Sequence, residues 1–310
     1  MKKVALQLFL MAVMLVISQS IMADNITIDA TNFPDESFRN WVLAQNYGAD
    51  GILTDEEIAT VNIMAVRSRN ISDLKGIEFF TALKYLYCEY NQLTSLDVSK
   101  NTLLIQLNCY GNQLTSLDFS KNVVLERLLC SSNQLTSLDV SQNKALTYLD
   151  CNYNQLTTLD VSKNTALTDL NCQETPLTSL DLSKNTALES LSFSKVLLSS
   201  IDLSHNTALT DLSFSNTPLT SIDLSNNRAL TTLSCINNDQ LTSIDVTKNT
   251  ALTTLTCMSN DQFTSIDVTK NTALTRLYCN RNQLTSLDVS KNVALESLNC
   301  GSSDIWSDDI

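Results

Sequence analysis

A β-rich solenoid of about eleven coils, a curved parallel β stack with a small helical cap at its N-terminal end, is the fold class this sequence predicts. Three observations carry the prediction. A unit of about 21 residues recurs ten times and starts an eleventh, opening at Leu83, Leu104, Leu125, Leu146, Leu167, Leu188, Leu209, Leu230, Leu252, Leu274 and Leu295. Inside each unit, apolar and polar residues alternate, as in Leu86-x-Cys88, the period of a strand with one buried face. Only three prolines and five glycines occur in the 310 residues, so nothing reads as a linker. A unit this short cannot bury its apolar face alone and must do so against its neighbours.

Taken in chain order, residues 1–23 read as an export signal. Lys2 and Lys3 form the charged start, Val4 to Ile17 the apolar stretch, and Ile21-Met-Ala23 the small-residue cleavage site. No other apolar run is long enough to span a bilayer. Residues 24–60 form the cap that an exposed solenoid end needs. Asn32-Phe-Pro34-Asp-Glu opens a helix with proline in its first turn and acids beside it, and Phe38, Trp41 and Val42 recur at helical spacing to pack on the first coil. Between Asn46 and Ile58 the chain is similar to an EF-hand loop, with Gly51 at the turn and Asn46, Asp50 and Glu57 as candidate calcium ligands. Gly48 departs from that pattern, since it offers no side-chain oxygen, and Thr54-x-x-Glu57 reads equally as a capping box. A decayed loop kept for its shape, with no cofactor, is the expectation. Val61-x-x-Met64-x-Val66 is an irregular opening repeat, the solenoid spans 61–305, and residues 306–310 make an acidic end beginning at Trp306.

The nine cysteines all sit five residues after an opening leucine, and Phe193 and Phe214 hold that place in two units, so the position wants an apolar side chain. Stacked coils bring equivalent residues about 4.8 Å apart with parallel Cβ vectors, which fits disulfide geometry badly. A ladder of buried free thiols is expected, and no metal site, because CxxC is absent and the single histidine is His205. Leu96-Asp97-Val98 repeats the alternation and predicts a second strand on the opposite face. Asn101 and its nine equivalents never vary, and are expected to bond backbone groups of their own and the next coil. Asp97 and its nine equivalents form a second unbroken column, expected to be satisfied by following Ser or Thr groups with Lys100 and its counterparts nearby.

The pattern Leu-x-x-Leu-x-Cys-x-x-Asn-x-Leu-x-x-Leu-Asp-Val-Ser-x-Asn resembles the bacterial 21-residue leucine-rich repeats of the cysteine-ladder type, found in internalin-J-like surface proteins. The resemblance covers roughly residues 61 to 305. It implies an exported, surface-associated bacterial protein that serves in adhesion or binds host or microbial partners.

Formal net charge is −13, and removal of residues 1–23 takes two lysines, leaving 18 basic against 33 acidic residues (18 − 33 = −15). Such a balance repels nucleic acid. Candidate ligand contacts are the outward positions beside the buried leucine and cysteine: Tyr85, Tyr87, Glu89 and Tyr90, then Gln106, Asn108 and Tyr110, then Arg127 and Leu129, then Tyr148, Asp150, Asn152 and Tyr153. Seven of the eight tyrosines, all but Tyr47, fall there, and six cluster in the first four coils. Tyrosine offers a rigid apolar face with a polar tip, suited to protein and sugar recognition. The expected function is therefore binding of a protein or glycan on a host or neighbouring cell through Tyr85, Tyr87, Tyr90, Tyr110, Tyr148 and Tyr153, by a protein that is secreted or held at the cell surface. A calcium-dependent structural or matrix component is the alternative, and a secreted hydrolase a remote one. No Ser-His-Asp set or catalytic insert is visible, so enzyme activity is not expected. Leu167 to Ala229 is a second irregularity, in which Thr175, Val196 and Thr217 replace the first asparagine of the unit. It is read as a bend or a second contact.

Overall fold

The computed structural model describes residues 25–301; the expected export signal, Trp306 and the acidic end at 306–310 lie outside the described residues. Twelve strands form one parallel sheet in sequence order. The first, β3 (Ile63–Ala65), belongs to the irregular opening repeat. The eleven regular units supply β4 (Tyr85–Tyr87), β5 (Gln106–Asn108), β6 (Arg127–Leu129), β7 (Tyr148–Asp150), β8 (Asp169–Asn171), β9 (Ser190–Ser194), β10 (Asp211–Ser215), β11 (Thr232–Ile236), β12 (Thr254–Thr256), β13 (Arg276–Tyr278) and β14 (Ser297–Asn299). Register never slips: Leu86 stands opposite Leu107, and Leu107 opposite Leu128. A one-residue slip would turn every leucine to solvent, so burial fixes it.

One coil shows how the core is made. Leu83, Leu86, Cys88, Leu93 and Val98 are all fully buried. Each leucine removed from water contributes about 1.5–3 kcal/mol before entropy is counted. Cysteine suits this place as a small side chain that packs as a hydrophobe. Eight cysteines are buried free thiols, whereas Cys300 is exposed. Burial pushes the thiols of Cys88, Cys109, Cys130, Cys151, Cys257 and Cys279 up, and that of Cys172 to about 12, so they pack as small hydrophobes and not as nucleophiles.

Two amide ladders hold consecutive coils together. Asn112 donates through Nδ2 to the carbonyls of Cys109 and Cys88 at 3.0 and 3.1 Å, and its Oδ1 accepts the Leu93 N–H at 3.0 Å. Asn91, Asn133 and Asn154 do the same in their coils. In the second ladder Asn122 donates to the carbonyls of Val98 and Asn101 at 3.1 and 2.9 Å. Both acceptors belong to the preceding coil, which corrects the expectation that this column serves its own coil and the next. The Oδ1 atoms of this ladder have no partner among the described residues, so its hold is through Nδ2 alone.

The expected second strand at Leu96-Asp97-Val98 does not form. Asp97 Oδ1 accepts the Ser99 N–H at 2.8 Å, and the same bond recurs at Asp118, Asp139 and Asp160. A carboxylate bonded two residues ahead curls the chain into a turn and removes the backbone from any ladder. The aspartates are thus satisfied locally, as expected, and backbone and hydroxyl hydrogen bonds from Ser99 hold Asp97 below the usual carboxylate value, with Lys100 adding to that.

At the N-terminal end, β1 (Ile26–Thr27) pairs antiparallel with β2 (Ile52–Leu53). Helix α1 (Glu36–Leu43) is capped by Asp35, which accepts the Phe38 N–H at 2.9 Å. Pro34 precedes that cap, so it sits outside the helix and not in its first turn as expected. The other Asp35 oxygen accepts the Ser72 N–H and hydroxyl, both at 2.8 Å, and ties the cap to the opening coil. Phe33, Phe38 and Val42 are fully buried, and Trp41 stacks on Phe38 at 6.5 Å. Gly76 is required where the cap meets the sheet: its φ is 104°, and an added Cβ would lie 2.3 Å from the Phe33 ring.

The Asn46–Ile58 segment runs into α2 (Asp55–Thr60). Glu57 accepts the Thr54 N–H at 2.9 Å and its hydroxyl at 2.8 Å, completing a capping box, and Asp50 accepts the Ile52 N–H at 3.0 Å. Both carboxylates thus serve the local chain.

Candidate binding face on the strand surface

Each strand from β4 to β13 presents two outward columns beside its buried leucine. The first runs Tyr85, Gln106, Arg127, Tyr148, Asp169, and the second Tyr87, Asn108, Leu129, Asp150, Asn171. Neighbouring residues of a column are about 4.8 Å apart, so side chains three coils apart, such as Tyr85 and Tyr148, are about 14 Å apart. The six tyrosines therefore share one face without forming one cluster.

Three groupings emerge. Tyr85 and Tyr87 flank Leu86 on β4, both half-buried. The Arg67 guanidinium lies 4.4 Å from the centre of the Tyr87 ring, and its Nε is 2.5 Å from Glu89 Oε1. Glu89 is 9% exposed, whereas the Arg67 side chain is half exposed, so water still screens the pair from the arginine side; Glu89 Oε2 has no partner among the described residues. Tyr90 and Tyr110 meet edge to face, ring centres 4.9 Å apart at 81°. Farther along, Arg127 stacks over Tyr148 at 4.1 Å. Burial pushes the Tyr148 hydroxyl up, Asp150 adds to that, and Arg127 opposes it. Burial likewise raises Asp150, against hydrogen bonds from Asn152 and Ser131.

Tyr110 directly follows Cys109, past the end of β5, contrary to the expectation of an outward strand position. Tyr90 and Tyr153 are not strand residues either. Each lies two places after its cysteine with a left-handed backbone, φ 57° and 51°, and each is more than half exposed. Gly111, Ser132, Glu174, Lys195 and Arg281 occupy the same place with positive φ. Inter-coil bonds such as Tyr90 N–H to Tyr110 O at 2.9 Å hold this conformation where a side chain disfavours it. Tyr153 stands apart from the other five, near the Lys195–Glu174 ion pair.

Of the charged groups beside these rings, only Arg67 was missed as a candidate contact. Glu89 and Arg127 stand at outward positions, but a sequence does not say which tyrosine a cation covers. Arg67 lies in the irregular opening repeat, 22 residues before Glu89, and only the pairing of β3 with β4 aligns them. Among the described residues no group of three or more His, Cys, Asp or Glu is arranged to hold a metal ion, and no helix is long and apolar enough to cross a membrane.

A parallel stack of 21-residue coils with leucine inside, an asparagine-bracketed turn and an unbroken run of buried thiols along its early coils defines a leucine-rich-repeat solenoid of the cysteine-ladder type. No protein-family model matches the chain. Over 71 residues, 23% of this chain, it is 40% identical to internalin J of Listeria monocytogenes serotype 4b (strain F2365), a match that spans 8% of that protein's length. The functional domain of InlJ from Listeria monocytogenes, which includes a cysteine ladder, superposes over 90% of this chain and 76% of its own, with 33% identity and a TM-score of 0.55. The internalin InlF of the same species superposes over 92% of this chain and 99% of its own, with 21% identity and a TM-score of 0.65. The chain belongs to the internalin-J-like family of cysteine-ladder leucine-rich-repeat proteins.

Proposed function

We propose that this is an exported binding protein that uses its tyrosine-bearing strand face to engage a protein or glycan on a host or neighbouring cell, in adhesion or host–microbe contact. The observation that carries the reading is the unequal distribution of unsatisfied chemistry. The aspartate turns are closed on themselves by local bonds. The strand face of the early coils instead offers half-buried tyrosine rings at Tyr85, Tyr87, Tyr110 and Tyr148, two of them paired with guanidinium groups, over a rigid backbone. Aromatic and arginine side chains on a stiff scaffold bind at low entropic cost. The likeness to internalin J supports surface exposure, as does the signal-like start of the chain.

The test measures binding of the purified protein to host-cell surfaces and to an array of glycans and matrix proteins, beside a Tyr85, Tyr87, Tyr110, Tyr148→Ala variant of unchanged secondary structure. Binding that falls at least tenfold in the variant supports the reading. Binding that the variant retains would move the site off this face.

A further inference from the structure

The turns that lead into β5 and β6 break the repeat in one consistent way. Alanine precedes every opening leucine except Leu104 and Leu125, where Leu103 and Val124 stand instead. Both are exposed, at 48% and 41%, and Val123 beside them is 51% exposed. Ile105 is the one aliphatic residue in its column, where the other units carry Lys84, Glu126 or threonine and glutamate, and half-buried Leu129 faces outward on β6. Leu103, Val124 and Ile105 are thus exceptions at their places, confined to two adjacent coils, while Val123 has one aliphatic counterpart, exposed Val293 of the last unit. Nothing in the fold asks for them, since alanine serves the same place in nine other units.

Arg127 stands between Val124 and Leu129 in the chain, exposed, at the start of β6 and opposite Gln106, the residue after Ile105. Its guanidinium plane rests on Tyr148 at 4.1 Å. It takes part in neither of the ion pairs of the described residues, which join Arg67 to Glu89 and Lys195 to Glu174. A stacked guanidinium keeps its N–H edge free and is oriented in advance to receive a carboxylate through two parallel hydrogen bonds. In a chain of net charge −13, this is a positively charged donor held on an apolar rim.

We infer that the partner is a protein, and that it seats an aspartate or glutamate carboxylate against Arg127 with aliphatic side chains on Leu103, Ile105, Val123 and Val124. The inference rests on the proposed binding face and narrows what that face accepts. A glycan places its CH faces on aromatic rings and its hydroxyls on polar groups, and it has no counterpart for a cluster of branched aliphatic residues. A protein does, and burying such a cluster removes apolar surface from water on both sides. The carboxylate complements the one cation of these two coils' strands, and the apolar surround strengthens the pair by excluding water.

The experiment pans a random-peptide display library on the immobilised protein and sequences the retained peptides. Peptides enriched in Asp or Glu flanked by Leu, Ile or Val are expected. Their affinity should fall about tenfold or more with Arg127→Gln, and severalfold with the combined L103A, V123T and V124A variant, whose melting should match the parent because it restores residues the repeat already uses. Retained peptides without a carboxylate, unchanged affinity in Arg127→Gln, or no enrichment would each overturn the inference. Glycan binding lost in the four-tyrosine variant would keep the binding face and sink this partner; peptide binding indifferent to those tyrosines would count against the face itself.

Discussion

Coils one to four and coils five to seven are written in the same repeat, yet the first group makes three-residue strands while two strands of the second group, β9 and β10, and the adjoining β11 run to five. The difference lies in one carbonyl per coil. In the early coils the carbonyl after the second inward residue is taken by side chains: Cys88 O accepts from Asn91 and Asn112 at 3.0 and 3.1 Å. The backbone must then leave the sheet. At Phe193 the residues in reach are Val196 and Thr217, neither of which carries an amide, so pairing continues through Phe193 with Phe214 and Ser194 with Ser215. The two phenylalanine rings, both fully buried, stack at 5.5 Å and 10° in the core. Pairing stops again where a side chain recovers the carbonyl, by Thr175 at Cys172 and by Asn260 at Cys235. A side chain on that carbonyl, asparagine in the early coils and Thr175 in the fifth, thus goes with the three-residue strands, while β11 keeps Cys235 in its pairing with β10 and pairs with β12 only through Ser234.

The strongest way to break this contrast is to empty the phenylalanine stack. Phe193→Ala is expected to cost about 3–5 kcal/mol in denaturant unfolding, against about 1 kcal/mol for Cys151→Ala, which removes one sulfur. Equal costs would show that the two coil types are packed alike. Importing the later residue into an early coil comes next. Asn133→Thr abandons the Cys109 and Cys130 carbonyls and the Leu114 N–H, and should lower stability by about 2 kcal/mol; no change would refute the amide as the agent of the turn. A smaller and opposite effect is expected from Ser132→Gly. Ser132 has φ 52°, and glycine there should gain up to about 1 kcal/mol, because relief of left-handed strain outweighs its greater freedom when unfolded.

Acid should act on both regions alike. Hydrogen bonds from Phe38 and Ser72 hold Asp35 below 3.8 in spite of partial burial, and serine or threonine bonds do the same along the aspartate column. A carboxylate depressed by folding stabilises above its unfolded value, and that contribution disappears as pH falls through the folded value. Melting temperature is therefore expected to stay level from about pH 7 to pH 5 and to decline below about pH 4. A decline centred near pH 6 would point away from the aspartates.

The repeat, the buried thiol ladder and the inward leucines were legible because a 21-residue period leaves each coil one way to bury its apolar side, and stacking copies that choice. The locally bonded aspartates were legible for the same reason, since their partners lie two residues ahead. Leu96-Asp97-Val98 misled because alternation alone does not reveal that Asp97 bends its own backbone. Tertiary structure decided what depends on neighbours about one period away: which carbonyl Asn112 captures, that Arg67 reaches Tyr87 and Glu89, that Arg127 covers Tyr148, and that Tyr90 and Tyr153 stand on left-handed turns. Hydrophobic periodicity is a property of the chain, whereas hydrogen bonds and stacking between coils are properties of distance, which only the folded register supplies.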